Sequence, residues 1–350
     1  MQPNYLSHTR FTHVSIFCLL SMACRGSSNK DSGVATTDPP GKPNWESIAS
    51  TDQDGAWLRA HIPSDTPEEL WLVGGQPTAG SIKVGNAIKG FEPLELPEGT
   101  PLLNWADGTS TNMWVGGLYG SILHWDGAVW VDYSLDIEEA IWGLVVVDNG
   151  ATVVAVGGSS RWGGDEGIVY SFQNDVWTSH PLPDELDGLN NLFKVAFDGE
   201  QYWMVGTSGA LLYGTLDDLT AVPTGLTQDL ITAIATPNDS TVQIVGGRGT
   251  GLYVTGQNGV LDTPTQLIAG INGIATDASG NSLLVGEMGY SQLLNATGQT
   301  VEPVPVTTHI LHAAAVHIVD DTQYWYAVGG NLATAESTFE GSILSMEWTP

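Results

Sequence analysis

Beyond residue 42 the 350-residue chain carries three arginines, Arg59, Arg161 and Arg248. Arg161 stands beside Trp162 in Gly157–Gly167 (GGSSRWGGDEG), with Asp165 and Glu166 just past two glycines. An indole next to a cation stacks on a sugar ring or a partner's side chain. Arg248 sits in a second glycine-rich stretch, Gly246–Gly251 (GGRGTG). Trp162, Arg161, Arg248, Asp165 and Glu166 are therefore the candidate ligand-binding residues, and no catalytic residue is assigned. The competing reading folds Trp162 back over a neighbouring repeat unit.

A second group is acidic: Asp136, Glu138, Glu139, Asp184, Glu185 and Asp187. Carboxylates in such number either form a solvated rim, attract a cationic partner, or gather the six to eight oxygens that Ca²⁺ takes. The rim is the preferred reading; no cofactor is expected, with Ca²⁺ as the alternative. His309, His312 and His317 lie on an extended segment, where their spacing does not set up a zinc site. No nucleophile elbow, phosphate loop or nucleotide fingerprint occurs. The GGRGTG stretch leads into a strand and lacks the helix N-terminus of a phosphate cradle.

A repeat supplies the frame for these loops. Val-Gly pairs recur at Val73-Gly74, Val115-Gly116, Val156-Gly157, Val205-Gly206, Val245-Gly246, Val285-Gly286 and Val328-Gly329, in steps of 42, 41, 49, 40, 40 and 43 residues. Periods of this size with several short strands per unit mark propeller blades, which bury their faces only against neighbours. The second unit reads as strands over Leu102–Trp105, Asn112–Gly116, Ser121–Trp125 and Val129–Tyr133, with turns at Asp107-Gly108 and Asp126-Gly127. Glycine after each valine permits close backbone approach. The last unit lacks an outer strand, and Asn44–Ile48 resembles one. Residues 44–49 are therefore expected to pair with 341–348 and close an all-β, seven-bladed propeller over residues 43–350.

The acids outnumber the bases, 39 Asp plus Glu against 10 Lys plus Arg, for a formal charge of −29. No basic patch exists to hold phosphates, so nucleic acid is excluded as a partner. Hydrophobic residues at 42% with charged ones at 14% exclude disorder. Val14–Ala23 (VSIFCLLSMA) is too short to span a bilayer and reads as a signal-peptide core. Ser21-Met22-Ala23-Cys24 resembles the lipobox of bacterial lipoproteins, with Leu20 one position further from the cysteine than in that motif. Residues 1–23 are thus expected to be a signal, Cys24 the lipidation site, and 24–42 a flexible Gly, Ser, Thr and Pro tether. The protein is expected in the cell envelope, on a membrane by its lipid anchor alone; plain secretion is the alternative.

The words VGGLYGSILHWDGAVW (residues 115–130) resemble repeats of the photosystem-assembly-factor-like and bacterial-neuraminidase-repeat propellers. The resemblance covers about 300 residues and implies the fold; its members include sialidases, lyases and assembly chaperones. The sialidase turn motif runs Ser-x-Asp-x-Gly-x-Thr-Trp, whereas here Gly127 directly follows Asp126 and no Thr is present. A sialidase also implies three converging arginines, which here would be Arg59, Arg161 and Arg248. Two functions follow as expectations: a monomeric binding or scaffolding module for a protein or glycan ligand, or a secreted carbohydrate-active enzyme.

Overall fold

The computed structural model describes residues 44–348 apart from 162, 237–239, 297–303, 321 and 333–337. Trp162, Cys24, the apolar stretch and the tether lie outside the described residues. Seven antiparallel sheets follow one another around a ring. Their innermost strands are Ala56–His61, Leu103–Thr109, Ala140–Val147, Leu192–Phe197, Leu230–Thr236, Ile271–Thr276 and Ile310–Val319, which number blades 1 to 7. The described residues contain no α-helix.

The ring closes as the sequence anticipates. Glu46–Asp52 is the outer strand of blade 7, antiparallel to Glu340–Trp348, with Glu46 opposite Ser345 and Asp52 opposite Gly341. The core is not one mass but seven wedges, each shared by two adjacent blades. The wedge between blades 7 and 1 joins Tyr326, Val328 and Ile343 to Trp57, Leu70 and Leu72. Burial on both faces explains why second strands such as Thr152–Gly158 read as continuous apolar runs without alternation.

The Val-Gly word has a structural cause. In every blade the innermost strand carries an extra residue: Leu58, Asn104, Trp142, Phe193, Ile231, Asn272 or His312. The valine pairs with the residue after this bulge and the glycine with the residue before it, as in Val73 with Arg59 and Gly74 with Trp57. A Cβ at Gly74 or Gly286 would overlap the carbonyl of Ala56 or Gly270, so the bulge demands glycine opposite. Blade 2 is displaced by one: Gly116 pairs with Trp105 and Gly117 with Leu103.

One turn is corrected. Asp107-Gly108 does not open a turn but continues the strand to Thr109, pairing with Trp114 and Met113. Gly108 takes φ 130° there, and the chain reverses at Ser110-Thr111. Asp126 does turn the chain, its Oδ1 accepting from the N–H of Ala128 and Val129 at 2.8 Å.

Candidate functional site

Connections between blades and loops from second to third strand emerge on one face, around the mouth of the central channel. Six of the seven bulged residues are partly exposed, five of them between buried neighbours, and they face that channel; Asn104 is buried. Two asparagines tie blades together here: Asn104 Nδ2 donates to Ile141 O at 2.9 Å and Asn272 Nδ2 to Leu311 O at 3.0 Å.

The mouth is partly covered on this face. Phe339, just before the last strand of blade 7, is buried in a cluster with Ala56, Leu102, Leu118 and Ala140, which include the first residues of two innermost strands. Gln76 clamps it, accepting from the Phe339 N–H at 2.7 Å and donating to its carbonyl at 2.8 Å. Arg161 reaches the same ring, its guanidinium carbon 5.3 Å from the Phe339 centroid. Asp165 and Glu166 are exposed further along that loop, whose Gly167 N–H bonds Leu189 O at 2.6 Å.

Of the grooves on this face, two adjoin each other. The larger, about 640 Å³, runs between the connections of blades 3 to 5, lined by Glu185, Asp187, Asp229, Leu186, Leu189 and Pro223. The second, about 490 Å³, shares Leu186–Leu189 and adds Glu166 and His180. Arg248 does not join Arg161: it pairs with Asp229 at 3.0 Å on the blade 5 loop. Asp229 also receives the Ser208 N–H at 3.0 Å, which fixes the groove wall. Exposed apolar side chains accompany the grooves on this face, namely Tyr119, Ile268 and Met288. Tyr119 and Met288 hold φ of 56° and 53°, a strained conformation for large side chains.

Arg59 lies elsewhere again, deep in the channel. Its guanidinium sits 3.8 Å from the Trp105 ring centre and Nε donates to Ala106 O at 3.2 Å. Lys194 Nζ is 4.1 Å from the same ring and hydrogen-bonds the bulged Trp142 carbonyl. Burial lowers Arg59 to about 10, opposed by Asp107; burial, with the Arg59 charge adding, holds Lys194 well below its ordinary range. Each of the three arginines is thus engaged by a different set of neighbours. Among the described residues no three His, Cys, Asp or Glu side chains converge as a metal ligand set. His309 bonds Ser342 Oγ at 2.8 Å and His312 faces the channel. Lys194 escapes sequence reasoning because its side chain matters only through the bulge register.

Fold and loop face together define a seven-bladed propeller with a partly capped channel and grooves on one face. Comparison with family models and with curated proteins gives no match. Among solved structures the chain is similar to YCF48 bound to D1 peptide, at 14% identity and TM-score 0.62, covering 89% of this chain and 99% of that one. It is also similar to the Cps50 (Swd1) propeller of Myceliophteria thermophila, at 11% and 0.60, over 86% and 99% of the two chains. The WD40 propeller of Doa1 follows at 8% and 0.60, over 85% and 96%. At these identities the likeness establishes the fold alone.

Proposed function

We propose that this chain is a protein-binding propeller that takes an extended, positively charged peptide segment across its loop face. The observation that carries the reading is the groove of about 640 Å³ between blades 3 and 5. It combines exposed carboxylates at Glu185 and Asp187 with apolar Leu186, Leu189 and Pro223, a lining suited to alternating basic and apolar side chains. A net charge of −29 steers cationic segments toward such a surface. A similarly folded protein, YCF48, is seen with a bound peptide. The same proposal puts the protein outside the cytoplasm, held to a membrane through Cys24 with residues 25–42 as tether, on the strength of Val14–Ala23 and the Ser-Met-Ala-Cys word.

Selection of displayed random peptides on the purified protein tests this. Enriched peptides should carry Lys or Arg between apolar residues and lose binding on the double change Glu185→Lys, Asp187→Lys. Asp126→Lys, in a turn on the opposite face, should leave binding intact. Enrichment indifferent to the groove changes would reject the reading. A glycan turnover abolished by changing Glu166 would replace it with the carbohydrate-active enzyme.

A further inference from the structure

The chain has 10 Lys plus Arg against 39 acids, yet two of those cations are placed in the central channel beside one tryptophan. No carboxylate lies within ion-pair distance of either among the described residues. Asp107, whose field reaches Arg59, is engaged by His61 at 3.6 Å and by the Val146 N–H at 2.7 Å. Lys194 spends one donor on Trp142 O; Arg59 bonds Ala106 O and meets His61 Nδ1 at 3.3 Å. An ammonium has three donors and a guanidinium five, so donors exceed acceptors. Two buried like charges destabilise each other and cost desolvation unless a counter-charge joins them.

We infer that the channel binds a small monovalent anion, of the size of chloride or formate, held by Arg59 and Lys194 beside Trp105. Access exists, because Arg59 keeps partial exposure along the channel although it lies deep in the ring. Gly143 makes room for the Lys194 stem: a Cβ there would crowd its Cα at 2.9 Å and its Cδ at 3.3 Å. The neighbouring bulged residues Leu58, Trp142, Phe193 and Ile231 offer apolar walls, which suit a weakly hydrated ion better than phosphate. A bound anion also restores the ammonium that burial and Arg59 disfavour at Lys194.

Chloride NMR linewidth on the purified protein provides the test, with sodium gluconate holding ionic strength constant. The wild type should broaden the chloride signal, formate should reverse the broadening, and Lys194→Met or Arg59→Met should weaken binding at least about tenfold, the loss expected when one charged partner is removed. Chloride should also raise the melting temperature over gluconate by about 2 °C near tenfold saturation. Arg248→Met, which removes an exposed arginine paired with Asp229, should change nothing. Absence of protein-dependent broadening in the wild type overturns the site even if neither channel variant folds. Equal broadening by Lys194→Met overturns it as well.

Discussion

Asp52 holds the ring shut, and its replacement gives a quantitative forecast. Its Oδ2 receives Lys83 Nζ at 2.7 Å and the Trp57 indole N–H at 3.3 Å, while Oδ1 receives the Asp54 N–H at 3.1 Å. The closing strand is thereby tied to two strands of blade 1. Asp52 is 8% exposed and Lys83 15%, whereas Asp54, which also meets Lys83 at 2.7 Å, is 55% exposed. Asp52→Ala leaves the fully buried Trp57 indole without an acceptor and halves the partners of Lys83. Breaking a buried pair costs about 3–5 kcal/mol and an orphaned donor about 1–3 kcal/mol; with Asp54 still holding Lys83, the net is about 3 kcal/mol. At about 2–3 °C per kcal/mol for a domain of this size, the melting temperature falls by roughly 6–9 °C. Asp54→Ala, a surface change, costs at most about 1 kcal/mol. Calorimetry of the two variants decides the matter: equal shifts, or a drop below about 2 °C for Asp52→Ala, would refute the argument that this carboxylate secures closure.

Other consequences are checkable with small sets of variants. Burial holds His312 at about 4, the Gly330 carbonyl opposing and Lys194 adding. The unfolded chain therefore takes up a proton near pH 6.5 that the folded chain refuses until about pH 4. Stability from this residue is complete above pH 6.5 and is lost as pH falls to 4, by up to about 3 kcal/mol; urea melts of His312→Gln should show a correspondingly flatter acid limb. Phe339→Ala should free the cap over the channel mouth, accelerating amide exchange at residue 339 at least about tenfold through loss of its buried ring. Gly286→Ala, which drives a methyl into the Gly270 carbonyl, should cost about 2–3 kcal/mol in chemical denaturation. Cys24→Ser should move the protein from the membrane to the soluble fraction.

The ring was legible because blades repeat their words: Val-Gly marks the second strand, and Asn44–Ile48 supplies what Gly341–Trp348 lacks. The Asp107-Gly108 turn was misread because Asp-Gly suits a hairpin turn in general, whereas here glycine's positive φ is used inside a strand. Within the candidate site, Glu166 reaches a groove but Arg161 and Arg248 separate, one onto Phe339 and one onto Asp229. The channel cluster was only half visible. Arg59, Trp105 and Lys194 stand 14, 10 and 11 residues before the valine of their Val-Gly pair, because the turns between first and second strands vary in length. No fixed spacing marks their shared level, which appears only when the bulges set the register.

The central claim is that the loop face between blades 3 and 5 receives a peptide. Hydrogen exchange of the purified protein, with and without a saturating basic peptide recovered by selection, tests it most directly. Protection should appear in 185–190 and 207–211, with the turn at 126–129 unchanged. Protection confined to that opposite face or to the outer strands would contradict the account.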